Sequence, residues 1–164
     1  MSGYWVNVTV HVFAAMLWLG GMFFLAAVGA PVLRRVEDEQ LRRDLFAGLG
    51  VRARNVGWLA IGVLLVTGTL NLWYRGMLDP AVWRSAGFWG TAYGRALAWK
   101  LGSVAVMLVV QAGHDFVLGP RSSVAEPGSP AALALRRRAA LYARVNALVG
   151  VVVVVAAVRL ARGG

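Results

Sequence analysis

Four long apolar runs limit what this chain can fold into, roughly residues 4–32, 56–74, 92–118 and 139–160. A membrane-spanning helix needs about 20 predominantly apolar residues, and each run meets or nearly meets that length. Backbone N–H and C=O groups in hydrocarbon must be satisfied within the chain, so the expected class is all-α, a four-helix transmembrane bundle. Composition agrees: 59% of residues are hydrophobic and 15% charged, against about 45–50% and 25% in a soluble domain. Four spans and their connections use up the 164 residues, which implies a single four-span membrane domain over 1–164. No strand signal and no internal repeat is visible.

The formal charge of +10 would point to nucleic acid in a soluble protein. Here the arginines bracket the apolar runs instead of lining one face, so the expected partner is the lipid bilayer and not nucleic acid. Arg34, Arg35, Arg42, Arg43, Arg52 and Arg54 follow the first run, and Arg121, Arg136, Arg137 and Arg138 follow the third. Arg75, Arg84 and Arg162 lie on the other side. The positive-inside rule then puts the first and third connections in the cytoplasm and both termini on the outer, periplasmic side of a bacterial inner membrane. No positive residue precedes the first run, which sets it apart from a cleaved signal peptide and predicts that it is retained. Stretches 34–47 and 131–138 read as interfacial helices or helical extensions whose arginines meet anionic headgroups. Residues 121–130 read as a flexible connection, and Pro31 as a bend where the first helix leaves the membrane. Trp5, Trp73, Trp83, Trp89 and Tyr93 suit an aromatic belt.

The chain has no cysteine, which excludes disulfides, thiolate metal sites and iron–sulfur clusters. Any metal must use His, Met, Lys or oxygen. Ionisable residues inside a span are functional candidates by default, and the spans hold few: His11, Lys100 and His114, with Asn71, Asn146 and Arg159 in or near the others. Asn7, His11, Ala14, Trp18 and Met22 recur at helical spacing on the first span, as do Lys100, Ser103, Met107, Gln111 and His114 on the third. These stripes are expected to point inward and to face each other. At 1.5 Å per residue His11 and Lys100 lie at similar depth, about 10 Å below the outer end, whereas His114 lies about 20 Å deeper than Lys100.

Two kinds of site suit these residues. A haem b needs an imidazole on iron, an apolar slot and cations for its propionates. His11, Trp18, Lys100 and Arg159 supply those roles, with Asn71 assisting and Lys100 as an alternative second axial ligand. Copper suits soft thioethers with imidazole, which selects His11, Met16, Met22, Met107 and His114. At the inner level Gln111, His114, Asp115, Tyr142, Arg144 and Asn146 gather; a structural role there stands against a proton entry or a second metal site.

His11 followed by Leu17-Trp18-Leu19-Gly20-Gly21-Met22-Phe23-Phe24 and Ala30-Pro31 resembles the first span of the copper-resistance D (CopD-like) membrane family. Arg52-Ala53-Arg54-Asn55-Val56-Gly57-Trp58 and Thr67-Gly68-Thr69-Leu70-Asn71-Leu72 resemble its second. The likeness continues in Tyr93-Gly94-Arg95-Ala96-Leu97-Ala98-Trp99-Lys100-Leu101 and His114-Asp115-Phe116-Val117-Leu118-Gly119-Pro120-Arg121. More distantly the chain is similar to HemJ-type protoporphyrinogen oxidases, a likeness that implies haem b, with His11, Lys100 and His114 at the positions carried over. The CopD-like resemblance implies copper uptake or resistance. With no Met-x-x-Met cluster, no Cys and only two His, the residues favour haem over copper. The first reading is therefore a haem-b protein with a redox role in electron transfer or porphyrinogen oxidation near the outer face; the alternatives are a copper transport or homeostasis protein and a cofactor-free accessory subunit of a larger membrane complex. A membrane redox partner or a homodimer is compatible with the small residues Gly57, Gly62 and Gly68.

Overall fold

A computed structural model describes residues 2–124 and 129–163. Among them every regular element is helical. The elements are α1 (Ser2–Phe24), a π-helical segment (Leu25–Gly29), α2 (Ala30–Leu33), α3 (Glu39–Tyr74), α4 (Pro80–Arg84), α5 (Ala86–Gly90), α6 (Ala92–Ala112), a second π-helical segment (Gly113–Leu118), α7 (Gly119–Val124) and α8 (Pro130–Ala161). Four continuous helical stretches are long and apolar enough to cross a membrane: Gly3–Leu33, Glu39–Tyr74, Ala92–Arg121 and Pro130–Ala161. The chain divides into two compact units, Met1–Trp83 and Arg84–Gly164, each a hairpin of two such stretches.

Most of each basic stretch before the second and fourth spans belongs to the spanning helix itself, whereas Arg34 and Arg35 lie in the turn between α2 and α3. Residues 39–55 open α3 and 130–138 open α8. The 36 residues of α3 extend about 54 Å at 1.5 Å per residue, well beyond a hydrocarbon core about 30 Å thick. Arg, Leu and Ala favour helix with or without lipid around them, so the helix continues where hydropathy stops. Asp38 fixes the start of α3 by accepting from the Leu41 N–H at 2.9 Å, and Ser129 starts α8 in the same way through Ala132 at 3.2 Å. Both supply an N-terminal donor with the acceptor it otherwise lacks. Residues 121–124 of the expected flexible connection are helical in α7; residues 125–128 lie outside the described residues.

The two hairpins follow one plan displaced by 89 residues. Each first helix widens into a π segment just before a proline, Pro31 in one and Pro120 in the other. Ala30 donates to the Leu25 carbonyl and Gly119 to the His114 carbonyl, both five residues back. Proline lacks an N–H and its ring crowds the carbonyl four residues earlier, so a wider turn ahead of it relieves the clash without ending the helix. The same displacement pairs buried Asn7 with Ala96, Trp18 with Met107, Ile61 with Gly150 and Thr67 with Ala156. It also pairs His11 with Lys100. Residues 7–31 and 96–120 share little beyond the proline, Val28 with Val117 and Leu19 with Leu108, so the sequence hides the repeated plan.

Aromatic residues gather at one end of each hairpin. Tyr4 packs edge-on against Tyr74 with centroids 5.6 Å apart, and its hydroxyl accepts from Arg75 Nη2 at 3.0 Å. In the second unit Phe88 packs against Trp89 at 5.0 Å and Tyr93 at 6.3 Å. Amphipathic rings of this kind favour the interfacial level. The α5–α6 corner closes on Gly94, whose N–H donates to Thr91 Oγ1 at 2.9 Å. A Cβ there would overlap the Phe88 carbonyl oxygen and lie 2.9 Å from Trp89 Cα. Gly94→Ala is expected to destabilise the protein by about 3 kcal/mol through backbone displacement. Gly102→Ala, where a Cβ meets nothing within 4 Å, is expected to be neutral or slightly stabilising. Thermal unfolding in detergent, followed by helicity, checks both.

Candidate functional site

In the first unit the stripe on α1 turns toward α3. Asn7 is buried and its amide nitrogen donates to the Thr67 carbonyl and to Asn71 Oδ1, both at 2.9 Å. One turn deeper, His11 Nδ1 lies 2.7 Å from Thr67 Oγ1. The Thr67 hydroxyl has one proton, and the Val63 carbonyl 2.6 Å away takes it. A carbonyl cannot donate, so Thr67 Oγ1 accepts from the His11 Nδ1–H. On this network Nδ1 carries a proton, and Nε2 is the ring nitrogen that does not face Thr67. The imidazole lies over Gly68, where a Cβ would stand 3.5 Å from His11 Cε1, an ordinary packing distance.

Trp18, at 6% exposure, is buried in the same seam, and its ring approaches Gly57. Trp18 and Asn71, both suited by sequence to a haem, thus hold α1 against α3. Met22 lies about 16 Å along the helix from His11, eleven residues on. Met16 is 63% exposed, five residues and therefore about 140° round the helix from His11. These three do not converge in the first unit.

The second unit carries Lys100, Met107, His114 and Arg159. Met107 is buried, Lys100 half-buried and Arg159 exposed. Met107 and His114 are seven residues apart, about 10 Å along the helix, and do not converge on one ion either. At the π segment Asp115, buried to 7% exposure, accepts from Gln111 Nε2 at 2.6 Å and from His114 Nδ1 at 2.8 Å. Gln111 Oε1 accepts from Asn146 on α8, and Tyr142 packs beside Gly113. Of the expected inner cluster, Gln111, His114, Asn146 and Tyr142 thus gather about Asp115, whereas Arg144 is exposed. A carboxylate that receives two donors stays in the membrane at lower cost. It also orients His114 through Nδ1, as Thr67 orients His11. Among the described residues no group of three or more His, Cys, Asp or Glu side chains comes together.

Thr67 stands out in the sequence only as part of a family-like stretch and not as a partner of His11, because a threonine in an apolar helix ordinarily bonds its own preceding turn. Gly68 beside it, opposite a histidine in an antiparallel register, is the available clue.

These features define a multi-pass all-α membrane protein whose two histidines are each held through Nδ1. Residues 47–160 match copper resistance protein D, and the chain belongs to the CopD family. The match takes in Asn71, Lys100, Met107, His114 and Arg159 and begins after α1, so His11, Met16, Trp18 and Met22 lie outside it. A relative from Aquifex aeolicus (strain VF5), called "Uncharacterized protein", is 29% identical over 119 residues, which cover 71% of this chain and 71% of that one. No solved structure matches the chain.

Thr67→Val keeps the shape of the side chain and removes the oxygen that meets His11. It is expected to cost about 1–2 kcal/mol. Thr69→Val, which loses only a bond to the Leu65 carbonyl on its own helix, is expected to stay within about 0.5 kcal/mol of the parent. Denaturant unfolding in detergent separates the two.

Proposed function

We propose that this CopD-family protein handles copper as cargo in the bacterial inner membrane, with both termini outward as the arginine distribution favours. His11 Nε2 is the coordinating atom in the first unit. The supporting observation is the 2.7 Å bond from His11 Nδ1 to Thr67. That bond fixes the tautomer and the ring plane, as the outer-shell partner of a ligating histidine does. His114, oriented by Asp115, is the second imidazole able to receive the ion, and the carboxylate next to it offsets positive charge in a low-dielectric setting. Thioethers and imidazoles are soft enough for copper. Because the Met and His side chains of each unit stand well apart along their helices, they suit brief low-coordinate holding of an ion in passage better than a resident centre.

The same imidazole nitrogen favours a second reading, a haem b held through His11. When bound, a haem would supply the one-electron chemistry of electron transfer or porphyrinogen oxidation. Within the first unit the fit is incomplete, since Trp18 and Asn71 are taken up by the helix seam. Lys100 and Arg159, suited by sequence to a second ligand and a propionate partner, lie in the second unit. The copper reading is preferred because the family is copper resistance protein D.

Copper binding to purified protein in mild detergent, together with oxidised and reduced absorption spectra of the same sample, tests both. The expected result is copper bound without a Soret band, lost in His11→Ala and weakened about tenfold in Thr67→Val. A Soret band that disappears in His11→Ala would replace copper with haem. Neither copper nor haem after supplementation with each would leave the accessory-subunit reading in its place.

A further inference from the structure

In the second unit, α6 and α8 leave between them a groove that nothing in the copper reading uses. Its outer part, about 410 Å³, is lined by Arg95, Trp99, Ala96 and Arg159 among others. Its inner part, about 560 Å³, shares Arg95, Trp99 and Val152 and continues past Ala98 and Gly102 to Val106. No carboxylate lines either part. The groove is open: Trp99 is 70% exposed and both arginines are exposed.

Polarity along the groove is graded. Arg95 lies near the start of α6 and Arg159 near the end of α8, so the antiparallel pairing brings both guanidiniums to one end. Arg95 donates to the Gly90 carbonyl, which fixes the direction of its side chain and leaves further N–H donors on the same plane. Beyond Trp99 the walls are valine, alanine and glycine, with Ser103 among them. A Cβ on Gly102 would meet nothing within 4 Å, so the floor is open where a side chain would otherwise fill it. From Arg95 to Val106 is eleven residues, about 16 Å of helix. That is about half of a 30 Å hydrocarbon core and so the depth of one leaflet.

We propose that this groove binds an anionic phospholipid, with its phosphate between Arg95 and Arg159 and one acyl chain along Trp99, Gly102 and Val106. Guanidinium pairs phosphate oxygens through directed, charge-assisted hydrogen bonds. An apolar channel of one leaflet's depth accepts a chain that a soluble phosphate lacks. The paired cations distinguish an anionic from a zwitterionic headgroup, whose own ammonium they repel.

Full-length protein in detergent is incubated with a mixture of phosphatidylglycerol and phosphatidylcholine of matched chains, and retained lipid is counted by native mass spectrometry. Wild type is expected to retain phosphatidylglycerol about tenfold in preference, and the double variant Arg95→Gln/Arg159→Gln to lose the preference. Gly102→Leu, which fills the floor and keeps both charges, is expected to lower retention of both lipids. Arg137→Gln/Arg138→Gln removes equal charge from the start of α8 and is expected to leave the preference unchanged. The proposal is overturned if wild type shows no preference, if the groove variant keeps it, or if the Arg137/Arg138 variant loses it equally. Copper binding stays intact in the groove variants, so failure here is separable from failure of the copper reading.

Discussion

Hydrocarbon offers no water to a polar side chain, so the arrangement of each hairpin follows from how its few polar groups are met. On α1 they form a short ladder, Asn7 to Thr67 and Asn71, then His11 to Thr67. Each rung satisfies a group whose burial alone would cost several kcal/mol. The ladder also sets the register of α1 on α3, since Leu, Val and Ala would pack nearly as well one turn away. Register in turn places Trp18 over Gly57 and the imidazole over Gly68. The chemistry available to His11 is thus a by-product of the bond that holds its helix in place.

Much of this was legible in the chain because lipid imposes a simple rule on composition. Four apolar runs, the aromatic residues at the hairpin ends and the inward-turned stripe on α1 all follow from it. The helix ends did not follow, because hydropathy reports where lipid stops and not where a helix stops. Arg42, Arg43, Arg52 and Arg54 are as helical in α3 as the valines that follow them. The ionisable residues stood out by type, whereas their partners were hidden. Thr67 looks like any threonine in a span, and the nearness of Arg95 to Arg159 depends on an antiparallel register that no local pattern encodes. Trp18 and Asn71 show the converse: residues notable by type are used in holding helices together.

The π segments belong to the same economy. Pro31 and Pro120 each sit just beyond one, and the extra residue in the turn lets a proline pass without breaking the helix. In the first unit that segment holds only Leu, Ala, Val and Gly, but in the second it holds His114 and Asp115. Widening a helical turn alters the direction of the side chains in it. That places the Asp115 carboxylate within reach of both Gln111, one turn back, and His114 next to it.

The shared plan of the two hairpins separates scaffold from chemistry. At equivalent places one hairpin has His11 facing a threonine hydroxyl, and the other has Lys100 where the counterpart of Thr67 is Ala156, which offers no side-chain acceptor. The His11 imidazole thus meets a hydroxyl across its helix seam, whereas the place equivalent to Thr67 carries only the Ala156 methyl group. The two positions are therefore not duplicate sites, although the helices that carry them are built alike. Because the family match begins at residue 47, the imidazole on α1 is argued from this chain's own geometry, while its orienting partner Thr67 comes from within the matched region. The pairing across that boundary fixes how the imidazole sits, and the proposed metal contact through Nε2 rests on it.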